Sequence, residues 1–269
     1  MVRPGFAVVD VETTGFAASR ERIVEIAVVV VEEDGSESEA FCTLLDPGRD
    51  PGPTHVHGIT AAMVEGAPAF RAIHAYLATL LSGRVLVGHN VAGFDLGFLR
   101  AECLRCGVDD VRPEELALID TLTVARDLLG LYGRASLSDC CSRFGLTWDD
   151  HHSALGDARI TAALFAAMRS ELGDEALGVG EHLTRAAATR WPAPAPPVLV
   201  GGGALARQGL GRAERAGSGV IAIADPIGGV ERPVVRMRPG PVAVPAEVAV
   251  AVEVQLSLFE ADTEPETVA

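Results

Sequence analysis

The sequence predicts an α/β fold: a mixed sheet whose first three strands are antiparallel and whose later strands are parallel, flanked by helices and followed by a largely irregular C-terminal tail. Three observations carry this expectation. Strand-like apolar segments follow one another through the first third of the chain, and helical and strand patterns then alternate. From Trp191 the texture changes to WPAPAPPVLVGGG, rich in Pro and Gly. Successive strands imply an antiparallel start, whereas alternating β and α segments imply helices laid on the faces of the sheet.

Gly5 to Val11, Ile23 to Val31 and Ala40 to Leu45 read as strands, with Glu32 to Ser36 supplying a hairpin turn around Asp34-Gly35. A helix over about Pro68 to Leu81 leads to a short apolar strand, Arg84 to Val87. Asn90 is placed to cap a helix running to about Cys106, with Gly93 and Gly97 letting it pack closely. A strand at Leu116 to Ile119 comes next, followed by a helix capped by Asp120, another from about Ser136 to Phe144, and a long one from Ala154 to Leu172. The expected organisation is a principal domain over residues 1–175, a helical end and Pro/Gly-rich linker over 176–202, and an extension over 203–269.

With 48% hydrophobic residues the chain is too apolar to be disordered throughout, and its formal charge of −15 argues against a protein that coats nucleic acid with a broad basic face. Every basic side chain is Arg. Five cysteines, an odd number, and a start without the pattern of a signal peptide point to a reduced, cytoplasmic setting. Cys103 and Cys106 have the spacing of a zinc half-site that Cys140 and Cys141 would complete, but all four fall in helical patterns where Cys serves as a small apolar residue. No apolar stretch approaches the roughly 20 residues of a membrane span.

The chemistry-bearing residues are acidic and fall in three separated clusters. Asp10 and Glu12, in FAVVDVETTG, lie two apart on a strand, so both carboxylates share one face. Taken alone, this segment reads equally as a turn in which Glu12 and Thr13 cap Thr14-Gly15. Asp95, in VGHNVAGFDLGFL, lies beside the apolar stripe formed by Phe94 and Phe98; His89 and Asn90 just before it have no assigned chemistry. In HHSALGDA, residues five apart on a helix diverge by about 140°, so His152 and Asp157 face one site only if His152 precedes the helix, with Ser153 as its N-cap. His152 then suits a general base, because an imidazole exchanges protons near neutral pH; His151 is its adjacent competitor. Carboxylates gathered at the rim of a core need a counter-charge, and hard oxygen ligands favour Mg²⁺ or Mn²⁺.

Together, DVET, HNVAGFD and HSALGD resemble, in order, the three motifs of the DEDDh 3′-to-5′ exonucleases, the group that includes the proofreading epsilon subunit of bacterial DNA polymerase III. The likeness spans about residues 5–170, with HGIT at His57 to Thr60 between the first two motifs. It implies a ribonuclease H-like fold and an exonuclease domain over 1–175. It also implies that Asp10, Glu12, Asp95 and Asp157 organise two metal ions, that His152 activates water, and that Thr13 and His57 contact the terminal nucleotide. Some members carry an acidic residue just before HGI; here the nearest is Asp50.

Near the C-terminus, Gln255-Leu256-Ser257-Leu258-Phe259 is similar to the peptide by which bacterial replication and repair proteins dock on the β sliding clamp, with Gln255 as a hydrogen-bonding anchor and Leu256, Leu258 and Phe259 as apolar contacts. The alternation from Val248 to Leu258 also fits a half-buried strand. The expected function is metal-dependent hydrolysis of DNA 3′ ends to nucleoside monophosphates, in replication proofreading with a separate DNA polymerase or in repair. The alternatives are a 3′-to-5′ exoribonuclease and an inactive clamp-bound adaptor.

Overall fold

The computed structural model describes residues 4–108, 112–132, 135–147 and 152–193. His151 and the peptide Gln255 to Phe259 lie outside them. Strand β1 (Gly5–Thr13) runs antiparallel to β2 (Ile23–Glu32), which pairs antiparallel with β3 (Glu37–Leu44). Two short helices, α1 (Thr54–His57) and α2 (Ala61–Val64), precede α3 (Phe70–Leu81). The chain then returns through β4 (Val85–Gly88), parallel to β1, and α4 (Asp95–Arg105) to β5 (Leu118–Asp120), parallel to β4. Helices α5 (Thr121–Asp127), α6 (Leu137–Arg143), α7 (Ala154–Leu172) and α8 (Val179–Ala188) complete the order. The sheet order is β3-β2-β1-β4-β5, so the expected mixed sheet is present.

The hairpin between β2 and β3 forms where Asp34-Gly35 placed it: Gly35 adopts φ +88° and Asp34 Oδ1 accepts the Ser36 N–H at 2.9 Å. Strand β3 begins at Glu37, three residues before the apolar pattern does. Glu37 and Glu39 pair with Val31 and Val30 through the backbone, which hydropathy does not register.

Strand parity divides the core into two layers. On one face Phe6, Val8, Val29 and Val87 pack with Leu164, Phe165 and Met168 of α7. On the other, Val9, Val28 and Leu86 pack with Ile73 and Leu77 of α3 and Phe98 and Leu99 of α4. Val179 and Ala186 of α8 join the first layer and Trp191 the second, so the chain stays packed on the sheet beyond α7. Cys140 and Cys141 lie in the first layer, whereas Cys106 packs with the second and Cys103, on α4, meets His74 of α3 at 3.4 Å. The sheet separates the two pairs, and they act as apolar packing residues rather than a zinc site.

Asn90 does not cap α4, and this corrects the expectation. It sits in the left-handed region at φ +67°, and its carbonyl accepts the Gly93 and Phe94 N–H groups in a turn, so the helix starts only at Asp95. A non-Gly residue is held in that conformation by its surroundings: the Asp120 carboxylate, from the end of β5, accepts the N–H groups of Asn90 at 2.9 Å and Ala92 at 3.0 Å. Gly93 belongs to this turn, and at Gly97 a Cβ would meet only Ala18 at an ordinary 3.7 Å, so close helix packing is not what that glycine provides.

Candidate active site

Beyond Val8, β1 has no further partner on its β4 side, because the parallel pairing covers only Phe6, Ala7 and Val8. The second half of the strand therefore lines a crevice at the C-terminal ends of two parallel strands, the position where open α/β sheets bind ligands. Parity carries Asp10 and Glu12 on from Phe6 and Val8, onto the face covered by α7.

Asp95 reaches the same place from the opposite layer. It is 4% exposed at the first turn of α4, and its Oδ1 accepts the Val11 N–H at 3.1 Å, a donor that no strand claims. The tight turn after β4 makes this approach possible. At Gly88 a Cβ would lie 2.7 Å from the Val91 Cβ and 3.0 Å from the Val9 carbonyl oxygen, so only glycine fits.

Helix α7 supplies the third approach. Ser153 is its N-cap, accepting from the Gly156 N–H, and His152 precedes the helix at φ +60° while Asp157 sits in its first turn. His152 and Asp157 thus converge from different directions, as their spacing required. One ligand atom from each of Glu12, His152 and Asp157 lies within 4.8 Å of the others. A carboxylate in the first turn of a helix also meets the positive end of its dipole.

Asp10 completes the group electrostatically. Burial first, then the charges of Asp95, Asp157, Glu12 and Glu25, hold its carboxyl well above the usual carboxylate range. Burial likewise pushes Asp95 up to about 7, against the lowering effect of the N–H bonds that it accepts, and Asp120 adds to the rise. The neighbours acting most strongly on Asp10 are all carboxylates, so the site as built from protein atoms alone carries excess negative charge. A divalent cation fits this donor set: several hard oxygens and one imidazole, with ligand atoms close enough to share an ion.

Two carboxylates here were missed or only half-read from sequence. Glu25, 1% exposed on β2, lies directly opposite Glu12, and its Oε2 accepts the Ala154 N–H at 3.0 Å. A lone carboxylate inside the apolar run IVEIAVVVV was the signal that could have found it, since a buried charge needs a partner. Asp120 caps α5 as expected, accepting from Leu122 at 3.0 Å, but also holds the turn that delivers Asp95.

Of the residues expected to meet substrate, Thr13 ends β1, and its hydroxyl donates to the Gly15 carbonyl at 2.8 Å. His57 is 2% exposed, and its Nδ1 accepts the Ile59 N–H at 3.0 Å. The loop leading to His57 packs on the DVETTG turn through Gly52, where φ is +89° and a Cβ would lie 2.3 Å from the Thr14 carbonyl oxygen. His89 is structural, its ring bridging Thr121 at 3.0 Å and the Ala135 carbonyl at 2.8 Å.

Residues 7–165 match the RNase_T exonuclease family. The chain belongs to this exonuclease family. The matched span runs from β1 into α7 and contains all five converging residues. Among similar proteins, this exonuclease-family chain is 40% identical over 167 residues to a DNA polymerase III subunit epsilon-like protein of Rhodobacter capsulatus, covering 60% of this chain and 23% of that protein. It is 35% identical to the DNA polymerase III subunit epsilon of Treponema pallidum, covering 61% of this chain and 75% of the relative. A PolC-type DNA polymerase III of Pediococcus pentosaceus is 28% identical over 203 residues, of which the chain spans only 14%. The fold is shared with Escherichia coli exonuclease I, solved in complex with a dA16 oligonucleotide, at a TM-score of 0.58 and 18% identity over 66% of this chain and 43% of that one. Among the described residues, no helix is long and apolar enough to cross a membrane.

Proposed function

We propose that this chain is a DEDDh-type exonuclease that removes nucleoside monophosphates one at a time from the 3′ ends of DNA. The observation that carries the reading is the convergence of Glu12, His152 and Asp157 within 4.8 Å, beside an Asp10 whose carboxyl responds to Asp95, Asp157 and Glu12 together. Asp10, Glu12, Asp95 and Asp157 would hold two Mg²⁺ or Mn²⁺ ions. When bound, such ions neutralise charge on the scissile phosphate and lower the pKa of water.

The protein's own groups perform the rest. His152, at the exposed mouth of the site, takes a proton from the attacking water as its oxygen bonds to phosphorus and the bond to the leaving 3′ oxygen breaks. Its place ahead of α7 brings the ring to Glu12 and Asp157 from outside the helix. Asp95, fixed by the Val11 N–H, keeps β1 and α4 in register across the crevice. The terminal nucleotide lies against the DVETTG turn, with Thr13 and His57 shaping that seat.

Frayed or single-stranded 3′ ends are the proposed substrate, in proofreading or in repair in the cytoplasm, with a DNA polymerase as partner where the role is proofreading. Gln255, Leu256, Leu258 and Phe259 are proposed to tether the enzyme to the β sliding clamp, where a tether raises the local concentration on DNA. Loss of binding to purified clamp on deleting Gln255 to Phe259 is expected; unchanged binding defeats that part. The catalytic reading is tested by digesting 5′-labelled DNA and RNA oligonucleotides of one sequence with Mg²⁺ and with Mn²⁺. A ladder of shortened DNA products is expected, whereas preferential digestion of RNA would move the substrate to RNA.

A further inference from the structure

We infer that Glu25 is a positioning residue: from β2 its carboxylate holds the first turn of α7, and with it Asp157 and His152, against the end of β1. The inference rests on the nuclease reading of the site. Glu25 is 1% exposed, and Ala154, whose N–H it accepts at 3.0 Å, is fully buried. The first N–H groups of a helix have no acceptor within it. In α7 the Ser153 hydroxyl serves Gly156, so the Glu25 bond supplies a second cap, one that comes from the sheet.

Ala154 stands two residues after His152 and three before Asp157. Whatever fixes its backbone fixes both. Glu25 also faces Glu12 directly across the β1–β2 pair, where like charges oppose each other unfavourably. A carboxylate is tolerated there because the N-terminus of α7 favours negative charge and donates to it. The atoms that converge on a common point come from Glu12, His152 and Asp157, while Glu25 Oε2 is directed at Ala154. Glu25 therefore acts on the reaction through the helix, and misplacing reacting groups by about 1 Å can cost about 100-fold in rate.

The test compares Glu25→Gln, which keeps a carbonyl oxygen for the Ala154 N–H, with Glu25→Ala, which has none. Should Glu25→Ala fail to fold, Glu25→Met, apolar and of similar length, is the acceptor-free variant. On a 5′-labelled single-stranded DNA with Mg²⁺, the acceptor-free variant is expected to lose kcat by about 10- to 100-fold with KM unchanged, and Glu25→Gln to recover most of it. In the metal-free full-length protein, amide hydrogen exchange at Ala154–Gly156 should lose protection in the acceptor-free variant and keep it in Glu25→Gln. Wild-type kcat without the acceptor, equal impairment of both variants, or unchanged amide protection would each overturn the inference. A wild-type chain that leaves DNA intact while its amides follow this pattern would sink the nuclease reading and leave the Glu25 contact standing.

Discussion

Asp10 and Asp95 make one contribution to the pH behaviour of the metal-free protein, opposed in direction by the burial-lowered His74, His89 and His182. Both carboxyls are raised in the folded state, Asp95 to about 7, whereas an unfolded Asp titrates near about 4. Between those values only the folded protein keeps the protons, so the unfolded state binds fewer and stability falls as pH rises. The contribution of these groups is thus fully present below about pH 4 and is lost as pH rises through about 7. Thermal unfolding in EDTA across this range checks the sign, and Asp10→Asn should melt higher than wild type in EDTA because it removes a charge from among carboxylates. A divalent cation competes with the same protons, so Mn²⁺ affinity, followed by titration, should rise with pH up to about 7. His152→Ala should lower kcat by about 100- to 10,000-fold while the fold, read by circular dichroism, persists. At this scale the acidic set and His152 were legible because each lies at the edge of an apolar segment with a definite periodicity. Glu25 was not, because its partner Ala154 is brought to it only by tertiary folding.

Helix α7 carries both core residues and a site residue. Phe165 meets the Phe6 ring edge-on with centroids 5.0 Å apart, so Phe165→Ala should destabilise by about 3–5 kcal/mol in denaturant unfolding. Asp120→Ala removes an acceptor from three backbone N–H groups, those of Asn90, Ala92 and Leu122. It should cost about 2 kcal/mol or more and weaken Mn²⁺ binding, because the turn before Asp95 loses its tie. An Asp120→Ala protein with wild-type stability would contradict that role. The boundaries of α7 were readable from Ser153 and the apolar pattern, which act locally. The end of α4, with Cys106 as its C-cap, was readable too, but its start was not, since Asn90 has the composition of a cap while a carboxylate thirty residues later holds it in a turn. Helices α1 and α2, at four residues each, are too short to show a period.

Across the whole molecule, the order β3-β2-β1-β4-β5 places β1 at the centre, with antiparallel pairing on one side and parallel pairing on the other. That junction opens the crevice into which β1, α4 and α7 each deliver an acidic side chain. The strand sequence made the topology legible, because hairpins and helical crossovers dictate opposite pairings. The net charge of −15 is also consistent with a site whose local excess of carboxylates a bound cation offsets, rather than with a surface that grips DNA broadly. The most direct measurement is digestion of a 5′-labelled single-stranded DNA by the full-length protein in Mg²⁺, beside Asp10→Ala and an EDTA control. Stepwise shortening from the 3′ end by the wild type alone, abolished by EDTA and by Asp10→Ala, is the predicted result. Intact DNA in Mg²⁺, or shortening that survives Asp10→Ala, would contradict the account.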